Sequence, residues 1–162
     1  MDTHEKVKAD SSYAIHMVLS HSYTMFMLAL VAGLVLHLVF EIPLFVSGAY
    51  QYLGVVLIII GTYLVWWAQS TTRKTKQEMS QTQPSRDFAR GPYKYSRNPT
   101  HIGLTLTTLG LGLILNSFFI FVVTIIASLI SKYIFIKKEE ALLEEKYGDE
   151  YREYKKTVST WV

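Results

Sequence analysis

Apolar runs and blocks of charge alternate along this chain, and the alternation defines its elements. Ser22 to Phe40 carries no formal charge and is about 28 Å long as a helix, enough to cross a hydrocarbon core. Pro43 ends that run. A second span is predicted over Gly48 to Ala68, with Tyr50 and Tyr52 at one end and Trp66 and Trp67 at the other, the aromatic belts of a segment crossing both interfaces. Gln69 to Arg90 reads as a polar connection carrying Pro84, without strong periodicity. A third, short span follows over about 100–116, rich in small residues (Gly103, Thr105, Thr107, Thr108, Gly110, Gly112). Asn116-Ser117 reads as a tight turn into a fourth span over 118–136. Spans three and four are thus expected as an antiparallel hairpin whose small residues allow close helix approach. A charged tail helix over 137–157 carries Leu142, Leu143, Tyr147 and Tyr151 on an apolar stripe. Tyr13 to Leu19 is a candidate interfacial helix, and the N-terminus lacks the basic start and cleavage site of a signal peptide.

The expected architecture is therefore all-α and polytopic: one membrane-embedded domain over 1–162 with four spans, a C-terminal helical hairpin and a tail helix. Half of the residues are apolar and 18% are charged. Apart from Glu41, the charges fall in three blocks: the first ten residues, Arg73 to Arg97, and Lys132 onward. Seven Lys and Arg residues lie in Gln69–Asn98 and seven more from Lys132 onward, whereas the turns around Glu41 and Asn116 have none. The positive-inside bias then places both termini and the central polar segment on the cytoplasmic side. Cysteine is absent, which excludes disulfides, cysteine-based zinc sites and thiol nucleophiles. Membrane lipids are the expected partners, and no nucleic-acid surface is expected.

Candidate chemistry concentrates in Gly91-Pro92-Tyr93-Lys94-Tyr95-Ser96-Arg97-Asn98-Pro99-Thr100-His101-Ile102-Gly103. Pro92 fixes its own φ, and Pro99 pushes Asn98 out of the α region and suits the first turn of a helix. A helix start among Arg97, Asn98 and His101 is a ready place for an anionic group. Glu139-Glu140 follows the fourth span, and the return of the chain through the hairpin brings that pair to the same membrane face. Acidic residues beside Lys137 and Lys138 are often only surface charge, but here a ligand bearing both a cation and an anion could sit between the two clusters. His37 and Glu41, spaced i, i+4, make a weak metal site, and an interfacial hydrogen-bonded pair suits them better. His16 and His21 read as headgroup-level residues, Trp66 and Trp67 as belt anchors, and Tyr147, Tyr151 and Tyr154 as the docking face of the tail.

Taken together, GPYKYSRNPTHIG, a helical hairpin and EEALLEEKYGDEYREYKKTV resemble the isoprenylcysteine carboxyl methyltransferase and phospholipid methyltransferase superfamily. Its members carry an Arg-His-Pro-x-x-x-Gly type motif, a glutamate pair and a KYG-x-x-Y-x-x-Y tail. The resemblance covers Gly91 to about Val158. It implies an integral membrane enzyme that moves a methyl group from S-adenosylmethionine to a lipophilic acceptor, an isoprenylcysteine-type carboxylate or alternatively a phospholipid amine. Tyr93, Arg97, Pro99, Gly103, Glu139 and Glu140 match the pattern. Asn98 stands where His is usual, which removes a titratable imidazole from that position, and His101 stands where an aromatic is frequent.

The implied cofactor-binding set is Tyr93, Tyr95, Arg97, Asn98, Pro99, His101, Gly103, Glu139 and Glu140, with Arg97, Asn98 and His101 nearest the chemistry and no metal. The cations of the cofactor want carboxylates and aromatic faces, and its carboxylate wants Arg or a helix start. A sterol-type reductase using NADPH is the rival enzyme, disfavoured because the glutamate pair would repel a 2′-phosphate. A non-catalytic membrane scaffold would have no need of the polar motif.

Overall fold

In the computed structural model the described residues are 3–45, 48–81 and 88–161, with side chains described from Ser20 to Lys74 and from Phe88 onward apart from those gaps. Among them the chain forms six α-helices: α1 (Thr3–Phe40), α2 (Tyr50–Gln81), α3 (Pro99–Ile114), α4 (Phe118–Ile130), α5 (Ile136–Tyr147) and α6 (Asp149–Thr157). A 3-10 turn spans Gly91–Lys94, and a π-helical turn over Ser131–Phe135 joins α4 to α5.

Three stretches are long and apolar enough to cross a membrane: Ser20–Phe40, Tyr50–Lys74 and Phe118–Tyr147. The helix over Pro99–Ile114 is apolar but shorter. The segment 13–19 is no separate helix, because α1 runs through it without a break. The polar connection expected from Gln69 also differs. α2 continues to Gln81, since residues 69–81 hold neither Gly nor Pro and nothing there stops a helix. Pro84 lies outside the described residues.

α2 and α3 form the most extensive helix pair, and glycine explains why. Gly54 and Gly61 on α2 lie seven residues apart, as do Gly103 and Gly110 on α3. A Cβ at Gly61 would stand 2.6 Å from the Gly103 carbonyl oxygen, and one at Gly54 would stand 2.7 Å from that of Gly110. Only a bare backbone permits such contact, and dispersion between the closely packed helices holds them together. The small residues of the third span therefore serve chiefly α2 and not, as expected, the approach to α4. Of its glycines Gly112 alone faces α4, through Ile120, and Thr105 reaches Ser128 of α4. The Thr and Ser hydroxyls in these helices are spent locally. Thr105, Thr107, Thr124 and Ser128 donate to the carbonyls of His101, Gly103, Ile120 and Thr124, at 2.7–2.9 Å.

α1 packs on α4, where Gly33 admits Ile120 and Val123 and Phe40 meets Phe119 at 5.5 Å. Two turns are pinned together at that end of the bundle. Asn116 Oδ1 accepts from the backbone N–H groups of Leu44 (3.0 Å) and Phe45 (2.9 Å), and its Nδ2 donates to the Phe45 carbonyl at 2.9 Å. Asn116 has φ +51°, a left-handed conformation that Asn tolerates well. Ser117 then caps α4 by accepting from Ile120 N–H.

The π-helical turn sets the phase of everything after it. Ile120, Thr124, Ala127 and Ser131 are buried at the spacing of one helical face. Unbroken, that face would continue through residues 134 or 135 and then 138. Instead Ile134 is exposed, Ile136 is buried, Lys138 faces out and Glu139 and Glu140 face in. The wider turn rotates α5 against α4. The tail, expected as one helix over 137–157, breaks at Gly148, whose φ of +59° and ψ of −131° is a conformation that Gly alone adopts readily.

Candidate functional site

Arg97 is the centre of the polar end of the molecule. Its Nε donates to Glu140 Oε1 at 3.0 Å, and Nη2 approaches the same oxygen at 2.8 Å. Nη1 donates to the carbonyls of Lys155 (2.9 Å) and Val158 (2.8 Å), and Nη2 also reaches the Thr160 hydroxyl. Every N–H of the guanidinium is thereby used. The Arg97 backbone N–H donates to the Ser159 carbonyl at 2.9 Å. Both side chains of the ion pair are well buried, at 8% and 14% exposed. Lys155 joins the network, 3.4 Å from Glu140 Oε2 and 2.6 Å from Glu144 Oε1. The hydrogen bond to Glu144 is the largest of the effects that hold the Lys155 ammonium above its ordinary pKa.

Residues 158–160 thus form a strap across the motif. Thr160 O accepts from Ser96 Oγ and from Asn98 Nδ2, each at 3.2 Å. Asn98 is buried and makes the polar contact expected of it, but to the strap. An amide keeps the same donor there at any pH and carries no charge, whereas an imidazole would change its charge near neutrality. Tyr93 links three elements: its hydroxyl meets Thr72 on α2 at 3.1 Å, and its carbonyl accepts from Tyr154 on α6 at 2.7 Å. Burial pushes the Tyr93 phenol up, the Thr72 hydrogen bond opposes this, and the nearby Glu139 carboxylate adds to it. Below it Phe88 packs on Tyr147, Tyr151 and Tyr154 with ring centroids 5.1–5.6 Å apart. Burial raises the Tyr151 and Tyr154 phenols, so this cluster is neutral packing. These tyrosines, expected to dock the tail on the membrane or the hairpin, instead dock it on the segment before α3, against Phe88 and Tyr93.

Two of the expected residues differ sharply from Arg97. Glu139 Oε2 is buried without any hydrogen-bond partner, beside the Glu140 carboxylate. His101 is 1% exposed, and its Nε2 is likewise buried and unpartnered. A buried carboxylate oxygen is costly unless a cation, a donor or its own proton meets it. Pro99 is buried at the first turn of α3, Gly103 is buried against Val65 and Gly61 of α2, and Tyr95 is 70% exposed. The structure therefore brings Tyr93, Arg97, Asn98, Glu139 and Glu140 together and leaves Tyr95 outside.

Sequence reasoning did not anticipate the strap, nor Lys155 and Ser96. No periodicity or spacing marks a carbonyl as the partner of a distant Arg. The break at Gly148 did have a signal, a glycine followed by Asp149-Glu150 at the start of a helix. Of the weaker candidates, His37 and Glu41 meet only through the Glu41 N–H and the His37 carbonyl at 2.8 Å, and His37 Nδ1 is buried without a partner. The hydrogen-bonded side-chain pair expected there is not what forms. No cluster able to hold a metal occurs among the described residues. The His16 side chain lies outside the described residues.

An all-helical protein with membrane-length apolar helices and this motif–glutamate–tail constellation belongs to a known class. Residues 49–150 match the phospholipid methyltransferase family, and the chain belongs to it. It is also 27% identical over 124 residues to the protein-S-isoprenylcysteine O-methyltransferase of Schizosaccharomyces pombe, covering 73% of this chain and 51% of that protein. The chain thus spans about half the length of that relative. No solved structure gives a significant match.

Proposed function

We propose that this protein is an S-adenosylmethionine-dependent membrane methyltransferase acting on a lipophilic acceptor at the cytoplasmic face. The observation that carries the reading is the buried, unpartnered Oε2 of Glu139 beside Glu140, held against the motif of a methyltransferase family. S-Adenosylmethionine, when bound, supplies a methyl group on a sulfonium. Glu139 meets a cationic group of the cofactor, and Tyr93 and the first turn of α3 border the same space. Arg97 does not receive the cofactor carboxylate, since all its N–H groups are taken. It acts by holding Glu140, and through it α5, in position. The chain's part in transfer is to align donor and acceptor and to exclude water, which requires no covalent intermediate.

The acceptor is an isoprenylcysteine-like carboxylate or a phospholipid amine, and the bilayer delivers it sideways. The cytoplasmic placement rests on the Lys and Arg residues that flank the motif and tail. The deciding experiment is calorimetric titration of the purified protein in nanodiscs with S-adenosylhomocysteine and with NADPH. Heat with S-adenosylhomocysteine alone is expected. Heat with NADPH alone, or with neither, would overturn the reading.

A further inference from the structure

A groove of about 220 Å³ lies between α3 and α4, lined by Thr105 and Leu109 on one side and by Thr124, Ile125, Ser128 and Leu129 on the other. Ile125 and Leu129 are 43% and 50% exposed, so the groove opens sideways on the surface that faces lipid. Lys132 and Trp161 close its polar end. From Lys132 to Thr124 is eight helical residues, about 12 Å of depth.

The two ends differ in chemistry. No Lys, Arg, Asp or Glu occurs between Arg97 and Lys132, so Lys132 is the first formal charge met on leaving the apolar stretch. Its ammonium has no carboxylate within salt-bridge distance among the described ion pairs. It lies 5.8 Å from the Trp161 ring centroid and 5.9 Å from that of Tyr133. Trp161 Nε1 is buried and has no acceptor. A free cation beside an unused N–H donor is a half-built anion site. Across the floor Thr105 Oγ1 and Ser128 Oγ stand 3.0 Å apart and each donates to a carbonyl of its own helix, so their donors are satisfied and what remains of the groove is apolar. The volume is below the roughly 300–1,000 Å³ of a site that encloses a whole small molecule. One chain fits, with its outer side left against lipid.

We infer that this groove is the acceptor subsite, and that it selects a single-chain amphiphile with an anionic head group, held by Lys132 and the Trp161 N–H. The inference rests on the proposed methyl transfer and adds the charge class of its substrate. Trp161 follows Thr160, which bonds Ser96, Arg97 and Asn98. The strap that ties the motif together thus also places the indole over the groove, and the head group lies beside the motif.

The test uses the full chain with Trp66 and Trp67 replaced by Phe, which leaves Trp161 as the sole tryptophan, in nanodiscs of zwitterionic lipid. Three chain-brominated probes of equal length, dodecanoate, dodecyl phosphate and dodecyltrimethylammonium, are titrated while Trp161 fluorescence is followed. Saturable quenching by the two anions is expected at concentrations about tenfold below any effect of the cation, and the tighter anion specifies the head group. Lys132→Gln should lose that preference and Lys132→Arg should keep it. Lys137→Gln, an exposed lysine outside the groove, should leave it unchanged. Equal quenching by the cation, wild-type behaviour of Lys132→Gln, or an equal loss in Lys137→Gln would overturn the inference. Calorimetry with S-adenosylhomocysteine on the same sample separates the two readings. Heat without selective quenching removes only the anion subsite. Selective quenching without heat removes the methyl transfer, and with it the groove's role as an acceptor site.

Discussion

The α2–α3 interface and the strap around Arg97 lie at opposite ends of the scale of interactions available to a membrane protein. Between α2 and α3, bare glycine backbones touch across two heptad-spaced pairs, and the energy is dispersion spread over many weak contacts. Around Arg97, a few charge-assisted hydrogen bonds join the motif before α3 to α5, α6 and the strap, and each has a single irreplaceable geometry. The first region fails when anything is added, and the second fails when anything is removed. A site carried on α3 needs both. The glycines fix the helix in depth and rotation, and the strap fixes the glutamate helix against it.

Breaking the strap should have the largest effect. Arg97→Ala leaves Glu140 buried beside one lysine and several unused carbonyls. Loss of one partner of a buried ion pair costs on the order of 3–5 kcal/mol, which thermal unfolding in detergent should register. Arg97→Lys should recover only part of it, because an ammonium cannot serve five separate directions.

Overfilling the interface comes next. Gly103→Val puts a branched side chain where a Cβ already meets Val65 and the Gly61 carbonyl at 2.6–2.7 Å. A cost of about 1–3 kcal/mol is expected from overpacking. Ile59→Leu on the lipid-facing side of α2, where Ile59 is 63% exposed, should leave the melting temperature unchanged. If both substitutions behave alike, glycine contact is not what holds α2 to α3.

Glu139→Gln sharpens the comparison, because it should separate binding from stability. Its Oε2 has no partner to lose, so the melting temperature should hold or rise. Affinity for S-adenosylhomocysteine should fall by roughly tenfold, about 1.4 kcal/mol. A fall in stability with unchanged affinity would make Glu139 part of the scaffold and remove it from the site.

The smallest effect belongs to the tail's outer face. Glu145→Gln, at an exposed position, should change neither stability nor affinity beyond about 0.5 kcal/mol. Glu144 is no substitute control, because it is bonded to Lys155 at 2.6 Å. Glu144→Gln should loosen the strap measurably in hydrogen exchange of Lys155 and its neighbours. A silent Glu144→Gln would confine the clamp to Arg97 and Glu140.

Helix existence, the turn at Asn116-Ser117, the polar motif and the glutamate pair were all legible in the order of residues. Each depends on local physics: apolar length, the fixed φ of proline, an Asn that tolerates positive φ, charge that will not enter lipid. The family pattern was legible for the same reason, since its parts lie in sequence order. Three things were not legible. Which helix the glycines of α3 would meet depends on matching glycines 42 to 56 residues away on α2. Which glutamate would be paired depends on the phase of α5, and the π-helical turn changes that phase without any Pro or Gly to announce it. The fate of Arg97 depends on backbone carbonyls of the strap, and every residue carries a carbonyl. Periodicity reports which face of a helix is apolar. The rotation of one helix against another, and so the difference between the paired Glu140 and the unpartnered Oε2 of Glu139, is set when the bundle packs.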